Sequence, residues 1–419
     1  MKKRGIIIGG GAAGLMAAIT AAENGAEVTI LEHMPRVGKK ILSTGNGKCN
    51  MTNMHMTADC YRCGEPDVPI QVIGRFPVAE TLRFFRRIGI LTTDRNGYVY
   101  PASGQAQTVL DALMNKADSL GITTICESKV QSIEKTKKGM FAVKSLSGTH
   151  YADFVILAAG SMAAKVTGSD GSGYELAKSL GHKIKKPLPA LVQLKCSGDF
   201  FKAIAGVRCD AKVCIYTAGK RGERQTLLAE DTGELQLTDY GISGIPVFQV
   251  SRFAAEALDH KKQVAAAIDF MPEYTTEALF ELLKEQRMYL HDRTAGEFMN
   301  GLFNKKLALL FLKAAYLKPD MKVSAISDKK LWELVDVIKD ASFEVTGTNS
   351  YDKAQICMGG VSLKEVNAET MESRLVPGLY FAGEILDVDG ICGGYNLQWA
   401  WSSGHLAAVS ATKERSKYK

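Results

Sequence analysis

The feature that most constrains the fold is a G-x-G-x-x-G motif at residues 9–14. It stands between a β-branched run typical of a buried strand and an alanine-rich helical pattern over residues 12–24. In this motif Gly9 permits a tight turn, Gly11 lets the backbone approach a pyrophosphate, and Gly14 lets helix and strand pack closely. The N-terminus of the helix offers unpaired N–H groups to phosphates. The motif therefore predicts a dinucleotide site.

Three further segments favour FAD over NAD as the dinucleotide. Glu32 follows the second predicted strand at the spacing expected of an acid that binds a ribose hydroxyl. Residues 38–53 are rich in glycine and asparagine and are typical of a loop that wraps a ligand. Residues 381–398 form a second acidic, glycine-rich loop that leads into a helix predicted from Asn396. A carboxylate in that loop can bind a ribityl hydroxyl, and the helix N-terminus can stabilise charge on the flavin, so the pattern predicts FAD.

The residues predicted to contact FAD lie in these loops and at the ends of neighbouring strands. They are Gly9, Gly11, Ala12, Ala13, Gly14, Glu32, Lys40, Ser43, Gly45, Lys48, Cys49, Asn50, Val130, Ala159, Gly160, Gly383, Glu384, Asp387, Gly394, Asn396 and Leu397. No metal site is predicted, because Cys60 and Cys63 form the only C-x-x-C and no second pair completes a zinc site.

The pattern along the chain predicts an α/β fold with a discontinuous FAD-binding domain of Rossmann type. From about residue 190 it changes to short strands separated by glycine-rich turns, which indicates an inserted β-domain. Helices are then predicted over residues 276–289, 295–317 and 328–339. The predicted segments are 1–190 for the first part of the FAD domain, 191–273 with about 340–365 for the β-domain, 274–339 for a helical subdomain, and 366–419 for the return of the FAD domain.

Composition excludes several classes of protein. A net charge of +7 over 419 residues is small, the basic residues form no stripe, and no RNA-binding motif occurs, so nucleic-acid binding is disfavoured. No run of about 18 apolar residues occurs, which argues against a membrane span. The nine cysteines are neither dense nor regularly spaced. Free thiols fit a reducing compartment, so we expect a cytoplasmic protein. The sequence makes no prediction of oligomeric state.

Several segments resemble one bacterial flavoprotein family, which contains BaiN-type bile-acid reductases and aminoacetone-oxidase-like proteins and is often described only as NAD(P)/FAD-dependent oxidoreductases. The similarity runs in order along essentially the whole chain and is most specific in residues 38–53, 97–103, 359–361, 370–373 and 379–404. The resemblance implies a glutathione-reductase-like FAD domain with an inserted β-barrel and a helical subdomain. One departure is Lys48, where arginine is the expected residue; lysine would make a single-point phosphate contact instead of a bidentate one.

The reaction is left open between three hypotheses. The first is an FAD enzyme that reduces an activated C=C bond, such as that of an enone or a steroid-like acid. In this hypothesis Tyr240 is the candidate proton donor to a small-molecule substrate. Because no second G-x-G-x-x-G opens a βαβ unit, the hydride would come from NAD(P)H bound transiently over the flavin or from the substrate itself. The second hypothesis is an oxidase of a small amine or aminoketone that produces peroxide, and the third is non-catalytic binding of a nucleic acid or a partner. Dithiol chemistry through Cys49 is disfavoured, because no second cysteine is close in sequence.

Overall fold

The structure, a computed structural model, describes residues 2–137, 139–218 and 224–413. The residues outside these ranges include the last six of the predicted return segment. In the described residues the strands are β1 (Arg4–Ile8), β2 (Glu27–Leu31), β3 (Thr52–Asn53), β4 (Tyr61–Cys63), β5 (Thr92–Arg95), β6 (Tyr98–Pro101), β7 (Thr123–Ile125), β8 (Val130–Lys135), β9 (Phe141–Ser145), β10 (Gly148–Ala152), β11 (Phe154–Leu157), β12 (Ile184–Ala190), β13 (Leu194–Cys196), β14 (Arg208–Ala218), β15 (Arg224–Thr238), β16 (Gly241–Gly244), β17 (Gln263–Asp269), β18 (Ala341–Thr348), β19 (Ile356–Val361), β20 (Leu379–Phe381) and β21 (Val388–Gly390).

The helices alternate with these strands in the first part of the chain and cluster after β17. They are α1 (Ala12–Glu23), α2 (Lys39–Ser43), α3 (Val68–Arg75), α4 (Val78–Arg87), α5 (Ala106–Ser119), α6 (Ser172–Ser179), α7 (Phe201–Ile204), α8 (Ile245–Asp259), α9 (Thr276–Tyr289), α10 (Ala295–Met299), α11 (Lys305–Ala314), α12 (Asp328–Lys339) and α13 (Tyr395–Thr412). Within the described residues, no helix is both long enough and apolar enough to cross a membrane.

The chain divides into two compact units, residues 1–188 with 355–419 and residues 189–354. The first is built on a parallel sheet of order β20-β11-β1-β2-β7. Strand β1 is apolar from Ile6 to Ile8, and all three side chains are buried, as expected for a strand covered on both faces. Because neighbouring parallel strands end at the same edge, the turns that follow β1, β11 and β20 meet there. This edge carries the candidate site.

The second unit contains a closed barrel of order β13-β16-β15-β14-β17-β18 together with helices α7–α12. Alternate barrel residues, such as Val213 and Ile215, are fully buried and point into one apolar core with the helices. The predicted α/β fold with a Rossmann-type domain and a barrel-like insert is confirmed. The division into four segments at the predicted residues stays a prediction.

One predicted helix is wrong. The pattern over residues 295–317 predicts a single helix, but the structure has α10 and α11 separated by residues 300–304. The break has a local cause, since Gly301 disfavours helix and the Asn304 side chain accepts a hydrogen bond from Lys306 N at 3.0 Å. Asparagine is a strong N-cap, so it starts a new helix instead of continuing the old one.

Candidate FAD-binding site

The glycine-rich turn after β1 leaves the N-terminus of α1 open. A Cβ atom on Gly14 would lie 1.9 Å from the Gly9 carbonyl oxygen, so Gly14 is required by close packing of helix against strand. A Cβ atom on Gly11 would meet no atom within 4 Å, so the protein itself does not require glycine there. Gly11 is the N-cap of α1, which has no side-chain cap and no acidic residue in its first turn. An anion can therefore approach the N–H groups of Ala12 and Ala13 directly.

Glu32 fixes the backbone on the other side of this turn. Its carboxylate, 7% exposed, accepts hydrogen bonds from Gly10 N at 2.7 Å and Met34 N at 2.8 Å. Each oxygen keeps a second lone pair, so the carboxylate can also accept from a ribose hydroxyl. The Glu32 carbonyl accepts from Ser128 N at 2.8 Å, two residues before Val130 at the start of β8. This hydrogen bond brings the segment that leads into β8, where Val130 lies, next to Glu32.

The loop after β20 meets the N-terminus of α1. A Cβ atom on Gly383 would lie 2.8 Å from Ala13 Cβ, which shows how closely the two segments approach. The next residue, Glu384, forms a half-buried ion pair with Lys40 of α2, with an Nζ–Oε2 distance of 2.6 Å. The same oxygen accepts a hydrogen bond from Ser161 Oγ at 3.1 Å. Three segments that are distant in sequence therefore converge on one carboxylate.

The turn after β11 lies beside the turn after β1. A Cβ atom on Gly9 would lie 2.5 Å from the Ala158 carbonyl oxygen and 3.0 Å from Ala159 Cα. Gly160 has a φ of 74°, a left-handed conformation that glycine adopts without strain. Ala159 and Gly160 consequently line the same sheet edge as the glycine-rich motif.

Residues 43–50 and the N-terminus of α13 form the other end of the site. The N-cap of α13 is Gly394, in a left-handed conformation and without a side-chain cap. When the side-chain amide of Asn50 is oriented so that both its oxygen and its nitrogen have hydrogen-bond partners, the oxygen accepts from Gly394 N at 3.3 Å. The nitrogen then donates to the Thr52 carbonyl at 3.0 Å. Asn396 accepts from Gly390 N at 2.8 Å and donates to its carbonyl at 3.0 Å, so it shapes the loop. Leu397 follows it, half-buried.

Solvent-facing residues complete this end. Ser43, Gly45 and Lys48 are exposed, which leaves them accessible to a ligand. Cys49 is fully buried, and burial raises the pKa of its thiol to about 11. A neutral, buried thiol is a poor nucleophile, so its surroundings disfavour dithiol chemistry. All nine cysteines are free thiols.

Comparisons with known proteins agree with this geometry. Residues 3–410 match the model of the HI0933-like protein Rossmann domain. The chain belongs to this family. It is 43% identical over 409 residues to a 3-dehydro-bile acid delta(4,6)-reductase of Clostridium scindens, covering 97% of this chain and 98% of that protein. It is 29% identical to a ribosomal RNA dihydrouridine synthase of Haemophilus influenzae, covering 98% of each.

Among solved structures, the HI0933-like chain resembles a 3-ketosteroid delta1-dehydrogenase from Sterolibacterium denitrificans in complex with 1,4-androstadiene-3,17-dione. The TM-score is 0.51 with 11% identity, and the alignment covers 98% of this chain and 100% of that one. A likeness at this identity concerns the fold alone. The predicted family and the predicted FAD-dependent oxidoreductase class are confirmed.

The residues of this HI0933-like protein fit FAD at both ends of the cofactor. Gly11 leaves a space that no protein atom fills, at an uncapped helix N-terminus suited to a pyrophosphate. A second uncapped N-terminus, that of α13, suits the electron-rich pyrimidine edge of a flavin. The individual predicted contacts, including those of Lys48 and Asp387, stay predictions.

Two residues of the site carry no individual signal in the sequence. Ser161 binds the Glu384 carboxylate, and Gln398, fully buried, donates to Phe76 O and Thr81 Oγ1 at 3.2 and 2.9 Å. Gln398 also accepts from Thr52 Oγ1 at 2.6 Å and so holds the start of α13 against β3. Ser161 directly follows the predicted contact Gly160, and Gln398 is the last residue of the second glycine-rich loop, so the only signal for either residue was its position in the sequence.

Tyr240, the predicted proton donor, lies in the second unit. It forms the turn between β15 and β16, is half-buried, and accepts a hydrogen bond from Cys196 N through its carbonyl at 3.0 Å. Among the described residues, no cluster of three or more His, Cys, Asp or Glu side chains could hold a metal ion.

Proposed function

We propose that this protein reduces a carbon–carbon double bond conjugated to a carbonyl group, with NAD(P)H as electron donor and a steroid-like enone as substrate. The observation that carries the proposal is 43% identity over nearly the whole chain to a reductase of 3-dehydro-bile acids. The match extends across both loops of the candidate site, so the same cofactor chemistry is expected in the two proteins.

The chemistry requires two electrons and two hydrogens. In an enone the carbonyl makes the β-carbon electrophilic, so this carbon accepts hydride while the α-carbon or the enolate oxygen takes a proton. FAD, when bound and reduced, supplies the hydride and with it the two electrons. The chain itself holds the cofactor through α1 and α13, whose N-termini stabilise negative charge. We assign the proton to Tyr240, since a phenol can protonate an enolate.

A second substrate class contains the same bond. Relatives at 29% and 27% identity, from Haemophilus influenzae and Escherichia coli, are ribosomal RNA dihydrouridine synthases. The C5=C6 bond of uracil is conjugated to the C4 carbonyl, so its reduction is chemically an enone reduction. An RNA substrate differs from a steroid in its charge and size, and salt dependence of binding separates the two.

The proposal is tested by anaerobic mixing of the holoenzyme with NADH or NADPH. We expect the visible absorbance of the flavin to bleach and a 3-oxo-4-ene steroid to restore it. Restoration by uridine-containing ribosomal RNA, but not by the steroid, would favour the second substrate class. Failure of both nicotinamides to reduce the flavin, with bleaching by an amine and release of peroxide in air, would instead identify an oxidase.

We also propose a cytoplasmic location. None of the nine cysteines forms a disulfide, and three of them, Cys49, Cys60 and Cys357, are buried. Free thiols persist in a reducing compartment. Fractionation of cells that produce the protein from its own gene tests this location.

A further inference from the structure

A cavity that shares only Asp387 with the predicted FAD contacts carries a separate inference. It has a volume of about 370 Å³, within the range of small-molecule sites. Its walls are the loop after β4, the start of β12, the loop after β19 and Asp387. The segments are joined by hydrogen bonds: Gly64 N donates to Asp387 Oδ2 at 3.1 Å, and Ser362 N donates to the Lys183 carbonyl at 3.0 Å. We call it the lysine pocket.

The charges around the lysine pocket favour an anion. Three lysines, Lys183, Lys185 and Lys364, and two acidic residues, Glu65 and Asp387, line it. Lys185 Nζ lies 3.5 Å from Asp387 Oδ2, and Lys364 Nζ lies 3.6 Å from Glu65 Oε1. Lys183 Nζ forms no ion pair among the described residues, although the Glu365 carboxylate accepts a hydrogen bond from Lys183 N at 2.8 Å. The lining lysines therefore outnumber the lining carboxylates by one.

The pocket also has an apolar wall, formed by Ile184 and the buried Leu363. A ligand that combines a flat, weakly polar ring with a phosphate matches such a lining, and a nucleotide has this composition. Lysine binds phosphate as a point charge and needs no fixed geometry. The lining therefore suits the adenosine and phosphate end of a dinucleotide.

The pocket is also close to the loop after β20 that contains Glu384, which we call the cofactor loop. Asp387 is three residues from Glu384, so their Cα atoms are at most about 11 Å apart. Gly383, the residue before Glu384, packs against the N-terminus of α1, and Glu384 forms an ion pair with Lys40. A dinucleotide held at the lysine pocket by one end can place its other end near the cofactor loop.

We infer that the lysine pocket binds a phosphate group at the adenosine end of the nicotinamide donor. This inference rests on the proposed function and explains how a chain without a second G-x-G-x-x-G can use NAD(P)H. Two phosphates could occupy the pocket: the pyrophosphate, which NADH and NADPH share, or the 2′-phosphate, which only NADPH carries.

The test uses the double variant Lys183→Ala/Lys364→Ala. Lys185 is retained, because it forms an ion pair with the buried Asp387. The matched control is Lys144→Ala/Lys178→Ala, which removes the same charge from two exposed lysines of the same unit that do not line the pocket. FAD content and thermal unfolding of both variants establish that they fold.

Binding of ADP and of 2′,5′-ADP to the oxidised holoenzyme is measured by calorimetry. We expect the pocket variant to bind 2′,5′-ADP about tenfold more weakly than the control variant, with the difference shrinking at high salt. If the binding of ADP is weakened as much as that of 2′,5′-ADP, the pocket holds the pyrophosphate. If only the binding of 2′,5′-ADP is weakened, the pocket holds the 2′-phosphate. Either result supports the inference. Equal affinities in the two variants, or no binding to the unmodified protein, would overturn it.

Flavin reduction in the same samples separates this inference from the proposed function. If NADPH bleaches the flavin equally well in both variants at every donor concentration, the donor binds elsewhere and only the inference fails. If the nucleotides bind through the lysines but neither nicotinamide bleaches the flavin, the pocket is a nucleotide site and the proposed donor is wrong. In the pocket variant we expect a higher apparent Kd for NADPH and an unchanged limiting rate of flavin reduction, both relative to the control variant.

Discussion

Gly11 and Gly14, three residues apart, are glycines for opposite reasons. A side chain on Gly14 would collide with the Gly9 carbonyl, whereas a side chain on Gly11 would enter empty space. Gly11 has a φ of −82° and a ψ of −168°, which any residue can adopt. Close packing therefore explains why residue 14 is glycine, whereas a bound ligand explains why residue 11 is glycine.

This contrast gives a prediction on FAD affinity. Gly11→Val should fold normally but bind FAD at least about tenfold more weakly, because its methyl groups fill the space for the pyrophosphate. Gly14→Ala should instead lose about 1–3 kcal/mol of unfolding free energy through overpacking. Urea unfolding of the apoprotein and fluorescence titration with FAD measure the two effects. A Gly11→Val protein with unchanged FAD affinity would contradict the assignment.

A second prediction concerns Tyr240. If its phenol supplies the proton, Tyr240→Phe should lower enone turnover about 100-fold or more while flavin reduction by the donor keeps its rate. Tyr289→Phe is the matched control, since Tyr289 is 73% exposed on α9 of the same unit. Stopped-flow measurement of the two half-reactions distinguishes the steps. Equal turnover in the two variants would remove Tyr240 from the mechanism.

At the scale of elements, α13 contacts both glycine-rich loops, residues 38–53 and residues 381–398. Trp399 Nε1 donates to the Gly383 carbonyl at 3.1 Å, and Trp401 Nε1 donates to the Met51 carbonyl at 2.9 Å. A Cβ atom on Gly404 would lie 2.4 Å from the Ala13 carbonyl oxygen, so α13 also packs closely against α1. The positions of both helix N-termini consequently depend on one buried helix.

His405 on α13 gives a pH prediction. It stacks on Phe76 with ring centroids 4.1 Å apart, and its Nδ1 lies 3.2 Å from Thr20 Oγ1 of α1. Burial lowers the pKa of His405 from 6.5 to about 4. Because the unfolded chain binds a proton more readily, the contribution of this histidine to stability is complete above pH 6.5 and is lost as the pH falls towards 4.

We therefore compare the protein with His405→Asn, which retains a group able to bond Thr20. Between pH 7 and pH 4.5 the unmodified protein should lose about 1–2 kcal/mol more unfolding free energy than the variant, allowing for solvent screening at a partly buried ring. Chemical unfolding at a series of pH values measures the difference. Parallel pH profiles would show that His405 titrates normally in the folded protein.

At the scale of the whole molecule, the predicted FAD contacts all fall in one of the two compact units. They come from both of its chain segments, residues 1–188 and 355–419. Ligand binding stabilises the segments that it joins, by about 2.7 kcal/mol at a free FAD concentration 100 times the Kd. We therefore expect FAD to link the two chain segments of this unit.

Removal of FAD should be visible in hydrogen exchange. We expect amides of residues 9–14, 39–50 and 383–397 to exchange faster in the deflavo-protein, and protection to return when FAD is added. Strands β14 and β17 of the barrel serve as the internal reference and should keep their exchange rates. Faster exchange throughout the chain would instead indicate that FAD is needed for folding of both units.

The sequence determined the local parts of this protein. Gly9, Gly14 and the β-branched run of β1 specify the turn because their effects act over a few residues, and the two glycine-rich loops indicated FAD through their composition. The break between α10 and α11 was missed because the Asn304 cap competes locally with an otherwise helical pattern.

Only the tertiary structure decided which of these parts meet. The Lys40–Glu384 pair joins residues 344 positions apart, and no pattern in the sequence links them. The lysine pocket likewise combines four segments through strand pairings and an isolated bridge between residues that are distant in sequence. The physical reason is that an ion pair or a cavity depends on distances in space, which chain packing sets, whereas a turn or a helix start depends on the conformational preferences of adjacent residues.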